Sequence, residues 1–424
     1  MKYDAVIFDL DGTLTDSAAG IVGGIRHALS GVGRALPDEA LLRTFVGPPL
    51  SLSFMEILGM GEEEYARALA LYREYYSVTG YLENAVFPGV RALLKAIRDA
   101  GTYVAIASNK PRESILVILE HFDLLRYFDS VQGPLPDEEP DKAELIARAN
   151  PAGLRAVMVG DRALDIEAAH AVGIPSVAAL WGYGTGEELH AAGATFFADS
   201  IDSLYALLGL GKPQPRGYFI SFEGNDGSGK STQAKLLAER LSQIGYDVLP
   251  TREPGGTPIG ETIRGIVLDA GNDGIDPATE ALLYAAARAQ HVSQVIRPAL
   301  DRGMLVVSDR YVDSSVAYQG AGRGLGTERV RAMNDFATGG LLPDVTLFIR
   351  LAPEEGIRRR TAKHLLDRLE KEGADFHARV AEAFDRMASG DRRFVTVESQ
   401  PLKADTAQAV FEAVTRRLRE DGMP

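Results

Sequence analysis

Gly224-Asn225-Asp226-Gly227-Ser228-Gly229-Lys230-Ser231 satisfies the pattern G-x-x-x-x-G-K-[ST] at every required position. The preceding Tyr218-Phe219-Ile220-Ser221-Phe222 reads as a short buried strand, and Thr232 to Ala238 has helical spacing. A strand, a glycine-rich turn and a helix in that order form the context in which this pattern cradles phosphate. The glycines let backbone N–H groups converge on phosphate oxygens, and the helix N-terminus adds its positive end. Lys230 then meets the β/γ-phosphates, and the Ser231 hydroxyl is a ligand for Mg²⁺. The bland alternative is a flexible Gly/Ser loop, which the strand-and-helix context disfavours. This part of the chain is expected to be an α/β domain that binds a nucleoside triphosphate such as ATP.

Length and composition set the frame. The chain has 424 residues, 46% of them apolar, enough for two or three domains with real cores. With no cysteine, disulfides, thiolate nucleophiles and Cys-ligated metals are excluded. Met1-Lys2-Tyr3-Asp4 enters a strand without a signal peptide, and no apolar run approaches ~18 residues. A soluble cytoplasmic protein with no membrane segment is the expectation. Residues 1–210 carry 16 Lys+Arg against 29 Asp+Glu, whereas residues 211–424 carry 29 against 30. The acidic first half argues against nucleic acid as a partner. The arginine-rich second half suits a site that handles several phosphates.

Residues 2–9 form a β-branched and aromatic run ending on Asp9, continued by Leu10-Asp11-Gly12-Thr13-Leu14-Thr15-Asp16-Ser17. Two carboxylates two residues apart at a strand end can both face a metal; an acidic strand-end turn is the alternative. Val104 to Asn109 is a second strand, ending on the Ser108 hydroxyl, which is able to hold a phosphate oxygen. Lys142 opens a helical stretch, Ala143 to Ala149, after a Pro/Asp/Glu-rich loop. Ala156 to Asp161 is a third strand ending on a carboxylate, with Asp165 four residues on. Each of these groups sits at a strand end or helix start, where open α/β sheets place ligands.

Through these four motifs residues 1–208 resemble the haloacid-dehalogenase-like phosphohydrolases. The likeness is closest to their phosphoglycolate-phosphatase-like branch, through Asp9-Leu10-Asp11-Gly12-Thr13-Leu14, Gly160-Asp161-Arg162 and Leu180-Trp181-Gly182-Tyr183-Gly184. The resemblance implies a Rossmann-like core in which Asp9 attacks phosphorus to give an aspartyl-phosphate. Asp11 would protonate the leaving group and then activate water. Ser108 and Lys142 would neutralise the transferring phosphoryl, and Mg²⁺ would be held by Asp9, Asp161 and the Asp11 backbone carbonyl, with Asp165 in support. A carboxylate nucleophile splits hydrolysis into two easier steps, and a cation must offset its clash with an anionic phosphate.

Residues 16–83 read as mostly helical, over Ala18 to Leu29, Asp38 to Phe45 and Glu62 to Val78. They resemble the cap of that family, with Gly47-Pro48-Pro49 as the loop facing substrate. Phe45 and Phe54 belong to helix-core packing or to the substrate wall, and His27 reads as a surface residue. Gly209-Leu-Gly-Lys-Pro-Gln-Pro-Arg-Gly217 has linker composition. The expected division is a first domain 1–208, a linker 209–216 and a second domain 217–424.

Beyond the phosphate loop come Pro250-Thr251-Arg252-Glu253-Pro254-Gly255-Gly256-Thr257-Pro258, a helix with Arg264, and a helix from Pro277 to His291. That last helix carries Tyr284 and Arg288 on one face, either to stack a base and hold its phosphate or simply to pack. Met304 to Tyr311 is a buried strand ending Asp309-Arg310-Tyr311, and Ser315, Tyr318 and Gln319 are expected in a polar loop after it. Arg358 to Lys363 and Asp367 to Glu370 make a basic helical segment, either a site element or a solvated helix.

Together these motifs, with Phe222-Glu223-Gly224 and Ser315-Val-Ala-Tyr-Gln-Gly320, closely resemble the thymidylate kinases across 216–420. The resemblance implies transfer of the ATP γ-phosphoryl to dTMP, giving dTDP. Tyr284 would stack on thymine; Arg288, Arg310 and Arg264 would hold the dTMP phosphate. Ser315 and Gln319 would contact the base, and Tyr318 would lie under the deoxyribose. Glu253 belongs to the same substrate set, while Asp226 and Asp309 would position dTMP and Mg²⁺. The phosphate loop lacks an arginine, so a basic lid must supply the transition-state cation, as in the bacterial form. Lys363 stands where arginine is commoner and His364 where glycine is commoner. Arg359 is therefore the better candidate, since lysine lacks the planar fork.

The reading as a whole is a bifunctional α/β enzyme with two three-layer parallel-sheet domains. The first is a capped phosphatase for a small phosphate ester, phosphoglycolate or a nucleotide. The second is a P-loop nucleoside monophosphate kinase, and the resembled family implies a homodimer through it. The alternative is a kinase carrying a catalytically weak, regulatory phosphatase-like module.

Overall fold

The computed structural model describes residues 1–46, 50–212, 216–352, 355–356, 358, 368–369 and 371–423. Gly47-Pro48-Pro49, residues 213–215 and, in the expected lid, Arg359, Lys363, His364 and Asp367 lie outside the described residues. Two compact units make up the chain. Met1–Pro213 and Gln243–Gly245 form the first, and Gln214–Ser242 and Tyr246–Pro424 the second.

The first unit is built on a six-stranded sheet. Its strands are β1 (Ala5–Phe8), β4 (Tyr103–Ala107), β5 (Ser130–Gln132), β6 (Ala156–Gly160), β7 (Ser176–Ala179) and β8 (Phe196–Ala198), in the order β5-β4-β1-β6-β7-β8. All five pairings are parallel. Every residue of β1 is buried, because a parallel sheet is covered on both faces. Ala5 and Ile7 pack on Leu145, Ile146 and Ala149 of the helix Lys142–Ala149, and on Ala168 and Ala169 of the helix Ala163–Ala171. In register, Phe8 of β1 lies beside Ile106 of β4 and Val159 of β6. The residues just past these three strand ends, Asp9, Ser108 and Asp161, are therefore delivered to one edge of the sheet.

Two short strands, β2 (Thr15–Asp16) and β3 (Ala85–Val86), pair antiparallel where the chain leaves the core and returns. Between them stand the helices Ala18–Gly31, Glu39–Thr44 and Glu62–Val78, close to the expected bounds. Asp38 caps the second by accepting from the Leu41 N–H, and three glutamates open the third where the helix dipole favours them. Phe45 and Phe54 are buried in the core these helices share, which settles their role as packing. His27 is exposed, yet it has a partner that the sequence does not reveal: its ring stacks on Tyr75 at 5.4 Å.

The second unit has a five-stranded sheet of β9 (Tyr218–Glu223), β10 (Val248–Arg252), β11 (Leu305–Asp309), β12 (Val345–Arg350) and β13 (Phe394–Glu398), in the order β10-β11-β9-β12-β13. Its pairings too are all parallel. β9 and β11 are neighbours, so the phosphate loop after β9 and Asp309-Arg310 after β11 emerge side by side. The polar loop expected around Ser315 is instead helical, with a turn at Val312–Ser315 continued by π-helical turns over Val316–Gly322. Val312 and Val316 pack into one apolar cluster and Ala317 and Tyr318 into another, so the segment is wedged between two cores. Wider turns of this kind recur at functional sites. Among the described residues no helix is long and apolar enough to cross a membrane.

Candidate active sites

At the edge of the first sheet, Asp9, Asp161 and Asp165 each offer a carboxylate oxygen within 4.8 Å of the others, and all three are buried. Lys142, the first residue of its helix, bridges two of them, with Nζ 2.6 Å from Asp9 Oδ1 and 2.7 Å from Asp165 Oδ1. Burial pushes the Asp9 carboxyl up to about 6, because Lys142 only partly offsets it and Asp165 adds repulsion. Burial, then Asp9 and Asp165, push Asp161 up to about 8. Three acids against one lysine leave this corner short of positive charge. A hard divalent cation held by oxygen ligands fits that deficit. Gly12, at φ +85°, keeps the wall open: a Cβ there would lie 2.2 Å from Asp161 Oδ2.

Asp11 does not join the carboxylate cluster with its side chain. Its Oδ2 lies 2.9 Å from Lys110 Nζ, and its buried Oδ1 has no partner among the described residues. Lys110 also donates to the Tyr76 hydroxyl of the helical insertion at 2.7 Å. Ser108 is buried at the end of β4, and its Oγ accepts the Lys110 backbone N–H at 3.4 Å. Lys110 is thus a site residue that sequence reading passed over. Its only signal was its place two residues after a strand-end serine. Tyr183 is a second such residue. Its N–H donates to Asp161 at 2.8 Å, while its hydroxyl takes the Ser17 N–H at 2.6 Å and donates to Asp16 at 2.9 Å. Thr13 Oγ1 completes the support of Asp161 at 2.9 Å.

In the second unit a cavity of about 360 Å³ opens beside the phosphate loop. Asp226, Ser231, Glu253, Arg264, Tyr284, Arg288, Asp309, Arg310, Ser315, Tyr318 and Gln319 all line it, so residues from six separate stretches of sequence meet there. Gly224 sits at φ +136°, and a Cβ there would lie 2.5 Å from Ile349 O, which is why glycine fits at the start of the loop. Lys230 is buried and donates to Asn225 O at 2.7 Å; burial, then Arg310, push it down to about 8. Ser231 Oγ donates to Asp309 Oδ2, and Asp309 Oδ1 is buried without a partner among the described residues. A hydroxyl and an acid meeting beside an unpaired carboxylate oxygen suit a divalent cation that accompanies phosphates.

Arg310 pairs with Asp226 and donates to Ser314 Oγ at 3.0 Å, with its guanidinium 5.0 Å from the Tyr318 ring centre. Tyr318 donates to Asp226 Oδ2 at 2.7 Å. Arg264 donates to Pro254 O at 2.9 Å from the rim.

Two arginines are tied into the protein itself. Arg288, expected on the phosphate, makes four hydrogen bonds inside the protein, to Glu253 (2.6 Å), Ser315 (3.0 Å), Asn334 and Tyr311 O (3.0 Å). Only 2% exposed, it still lines the same cavity as Arg310 and Ser315. Arg368, expected in a basic lid, is buried and donates to Val267 O at 3.1 Å and to Glu280, so it anchors instead of covering. Arg359 lies outside the described residues. Glu223, Glu280 and Asn334 do not line the cavity but are buried polar groups bonded to Ser314, Gln319 and Arg288, which do. Glu223 accepts from the Tyr311 N–H at 2.7 Å and from Ser314.

Comparison with known proteins places both halves. A family model described as thymidylate kinase matches residues 222–410, and one described as haloacid dehalogenase-like hydrolase matches residues 6–179. The thymidylate kinase of Lactobacillus helveticus is 52% identical over 213 residues, covering 48% of this chain and 99% of that protein. That of Nitratidesulfovibrio vulgaris is 50% identical over 209 residues, covering 47% and 95%. Among solved structures, a predicted phosphatase from Clostridium acetobutylicum is 38% identical, covering 50% of this chain and all of that one, with a TM-score of 0.46.

Proposed function

We propose, for a chain that belongs to the thymidylate kinase family and carries a haloacid dehalogenase-like hydrolase domain ahead of it, two phosphoryl-transfer activities on separate substrates. The second domain, 217–424, transfers the γ-phosphoryl of ATP to dTMP. The bond from γ-phosphorus to its bridging oxygen breaks, a bond to a dTMP phosphate oxygen forms, and ADP and dTDP leave. The observation that carries this reading is the single cavity in which the phosphate loop, Arg310, Tyr284 and the Ser315–Gln319 segment meet. Such chemistry is mostly positioning and charge neutralisation. Lys230 and the loop N–H groups hold the donor phosphates, Arg310 and Arg264 hold the acceptor phosphate, and Tyr284 stacks on the base. Ser231 and Asp309 would hold Mg²⁺, which would neutralise charge between donor phosphates.

The first domain, 1–208, hydrolyses a small phosphate ester through an aspartyl-phosphate. Asp9 forms the bond to phosphorus as the ester P–O bond breaks, and the leaving oxygen takes a proton from Asp11. Asp11 then accepts a proton from the water that releases phosphate and restores Asp9. Lys142 offsets the charge gathered at Asp9. Asp9, Asp161 and the Asp11 carbonyl would hold Mg²⁺, with Asp165 in support; that ion would shield the anionic nucleophile from an anionic phosphate.

ATP-dependent, dTMP-dependent ADP formation tests the kinase. Turnover indifferent to dTMP rejects it in favour of an NTPase that serves a partner. Phosphate release from phosphoglycolate, pyrophosphate, sugar phosphates and nucleoside monophosphates tests the phosphatase, on a Lys230→Ala background with Asp9→Asn as blank. No release from any ester favours the regulatory module. Exposed Ile259, Ile266 and Leu282 on the adjacent helices Pro258–Leu268 and Pro277–His291 support a homodimer, which analytical ultracentrifugation checks.

A further inference from the structure

Glu280 lies in the first turn of the helix Pro277–His291 and is fully buried. Its carboxylate accepts from Gln319 Nε2 at 2.9 Å, from Arg323 at 3.2 and 3.4 Å, and from Arg368. Two guanidiniums against one carboxylate provide the opposite charge that burial demands. They also leave its oxygens acceptors only.

The structure assigns Glu280 as the positioning residue that fixes which end of the Gln319 carboxamide faces the base, and so selects a pyrimidine with a ring N3–H. This rests on the kinase reading above. An ionised carboxylate accepts and cannot donate, so only the NH₂ end of Gln319 can face it. Turning the amide over would set carbonyl oxygen against carboxylate oxygen with no proton between them. The carbonyl oxygen Oε1 is therefore left for the cavity that Gln319 lines, and it has no partner among the described residues. An acceptor held there matches the N3–H of thymine or uracil. It opposes the bare N3 of cytosine, where two acceptors would meet. Sites that hold a buried polar group for one hydrogen bond reject analogues that leave it unpaired. Arg323 and Arg368 touch no base; they act by holding Glu280.

The test is kcat/KM for dTMP, dUMP and dCMP at saturating ATP in the full chain, for the wild type and for Glu280→Gln, Glu280→Asp and Gln319→Met. Gln319→Met should lower the preference for dTMP over dCMP by about 10–100-fold. Glu280→Gln offers a donor as well as an acceptor and frees the amide to turn. The preference should fall by about tenfold or more, through the nucleotide KM, with the ATP KM within about twofold. Glu280→Asp keeps the charge against both arginines but withdraws the acceptor by ~1.5 Å. It should fall in between, and it decides the question if the glutamine variant does not fold. Unchanged preference in the Glu280 variants beside a lost preference in Gln319→Met overturns the assignment and leaves the kinase reading standing. A wild type indifferent to dTMP over dCMP, or a Gln319→Met that keeps the preference, refutes the base-contact reading and this inference with it.

Discussion

Replacing Lys110 with methionine probes the proposed phosphatase at a residue that the motif pattern does not contain. The ammonium is 2.9 Å from Asp11 Oδ2 and 2.7 Å from the Tyr76 hydroxyl, with the lysine side chain 10% exposed and Asp11 18%. Two unit charges near contact in a medium of effective dielectric ~20 attract by about 4 kcal/mol, before desolvation is counted. Desolvation of both groups and the residual exposure of Asp11 cut the net effect to about 1–3 kcal/mol. Among the described residues Asp11 Oδ1 already has no partner, so the variant leaves the carboxylate without its one described anchor. A positioned acid–base group contributes ~10²–10⁴ in rate, and an unanchored one forfeits part of that. The expected result is kcat lower by about 100-fold with KM within about threefold, since the phosphate-holding groups are untouched. Phosphate release from the preferred ester on the Lys230→Ala background measures the rate. Stability is followed through Trp181, the only tryptophan in the chain, whose Nε1 donates to Thr13 O at 3.1 Å beside this site. Tyr76→Phe, which removes one Lys110 acceptor but keeps the ring, should fall between wild type and Lys110→Met. A kcat within threefold of wild type, alongside a lowered Trp181 transition, would show that Lys110 merely packs the insertion onto the core and would refute the argument.

Three further outcomes follow from the same geometry. Lys230→Ala should lower dTMP-dependent ADP formation by about 10³-fold or more while dTMP affinity by calorimetry stays within about threefold; equal losses in both would point to a collapsed loop. In metal-free protein, Asp9 near 6 and Asp161 near 8 keep protons that the unfolded chain has already released above its ordinary value of 3.8, so stability falls as pH rises through that window. Mg²⁺ needs those protons gone, so the rise in the Trp181 melting temperature on adding Mg²⁺ over EDTA should be larger at pH 8 than at pH 6, and an equal rise would contradict the site. Glu223, pushed up to about 8 by burial and then by Asp313 from an ordinary 4.5, should cost the second unit up to about 1.4 kcal/mol per pH unit between those values. Glu223→Gln should flatten that slope, read as hydrogen exchange of the β9 amides at pH 5 and pH 8.

What the sequence discloses is what lies contiguous in it. A strand of near-continuous apolar residues, a glycine turn and a helix start are neighbours in the chain. Asp9, Asp161 and the phosphate loop could thus be read directly, as could the parallel sheets that carry them. Pairings across distant stretches could not. Nothing near Lys110 announces Asp11 and Tyr76, and nothing near Gln319 announces Glu280, because those contacts exist only once the sheets have stacked the segments. The misreading of residues 312–322 has a related cause. Asp313, Ser314, Ser315, Gln319 and two glycines give a polar, loop-like composition, yet Val312, Val316 and Ala317 bind the segment to two cores. Ser314, Ser315 and Gln319 are buried because they line the cavity, and Asp313 because it pairs with Arg393 and Thr346. Functional sites break the inside–outside pattern in this way and are compensated by packing elsewhere. Arg288 shows the same effect at one residue: helical spacing put it beside Tyr284, but only the fold could surround it with Glu253, Ser315 and Asn334.

The difference in charge balance between the two halves, acidic against near-neutral, follows from how each proposed site meets a phosphate. A phosphatase with a carboxylate nucleophile must bring an anion to an anion. It therefore gathers acids, Asp9, Asp161 and Asp165, around a single buried Lys142 and leaves the remaining deficit for a metal. Its local acidity is a condition of holding that ion. The kinase uses no protein nucleophile, because one bound phosphate attacks another. There the protein's task is to hold two sets of anions together: Arg264 and Arg310 line one cavity, and Lys230 is buried in the phosphate loop beside it. An arginine-poor, acid-rich first half and an arginine-rich second half, 16 basic residues against 29, are thus two answers to the same electrostatic problem. The difference also has a practical consequence. Removing the metal should cost the first site its nucleophile's charge balance and its stability together, whereas the second should lose phosphate alignment while its arginine-held acceptor pocket survives.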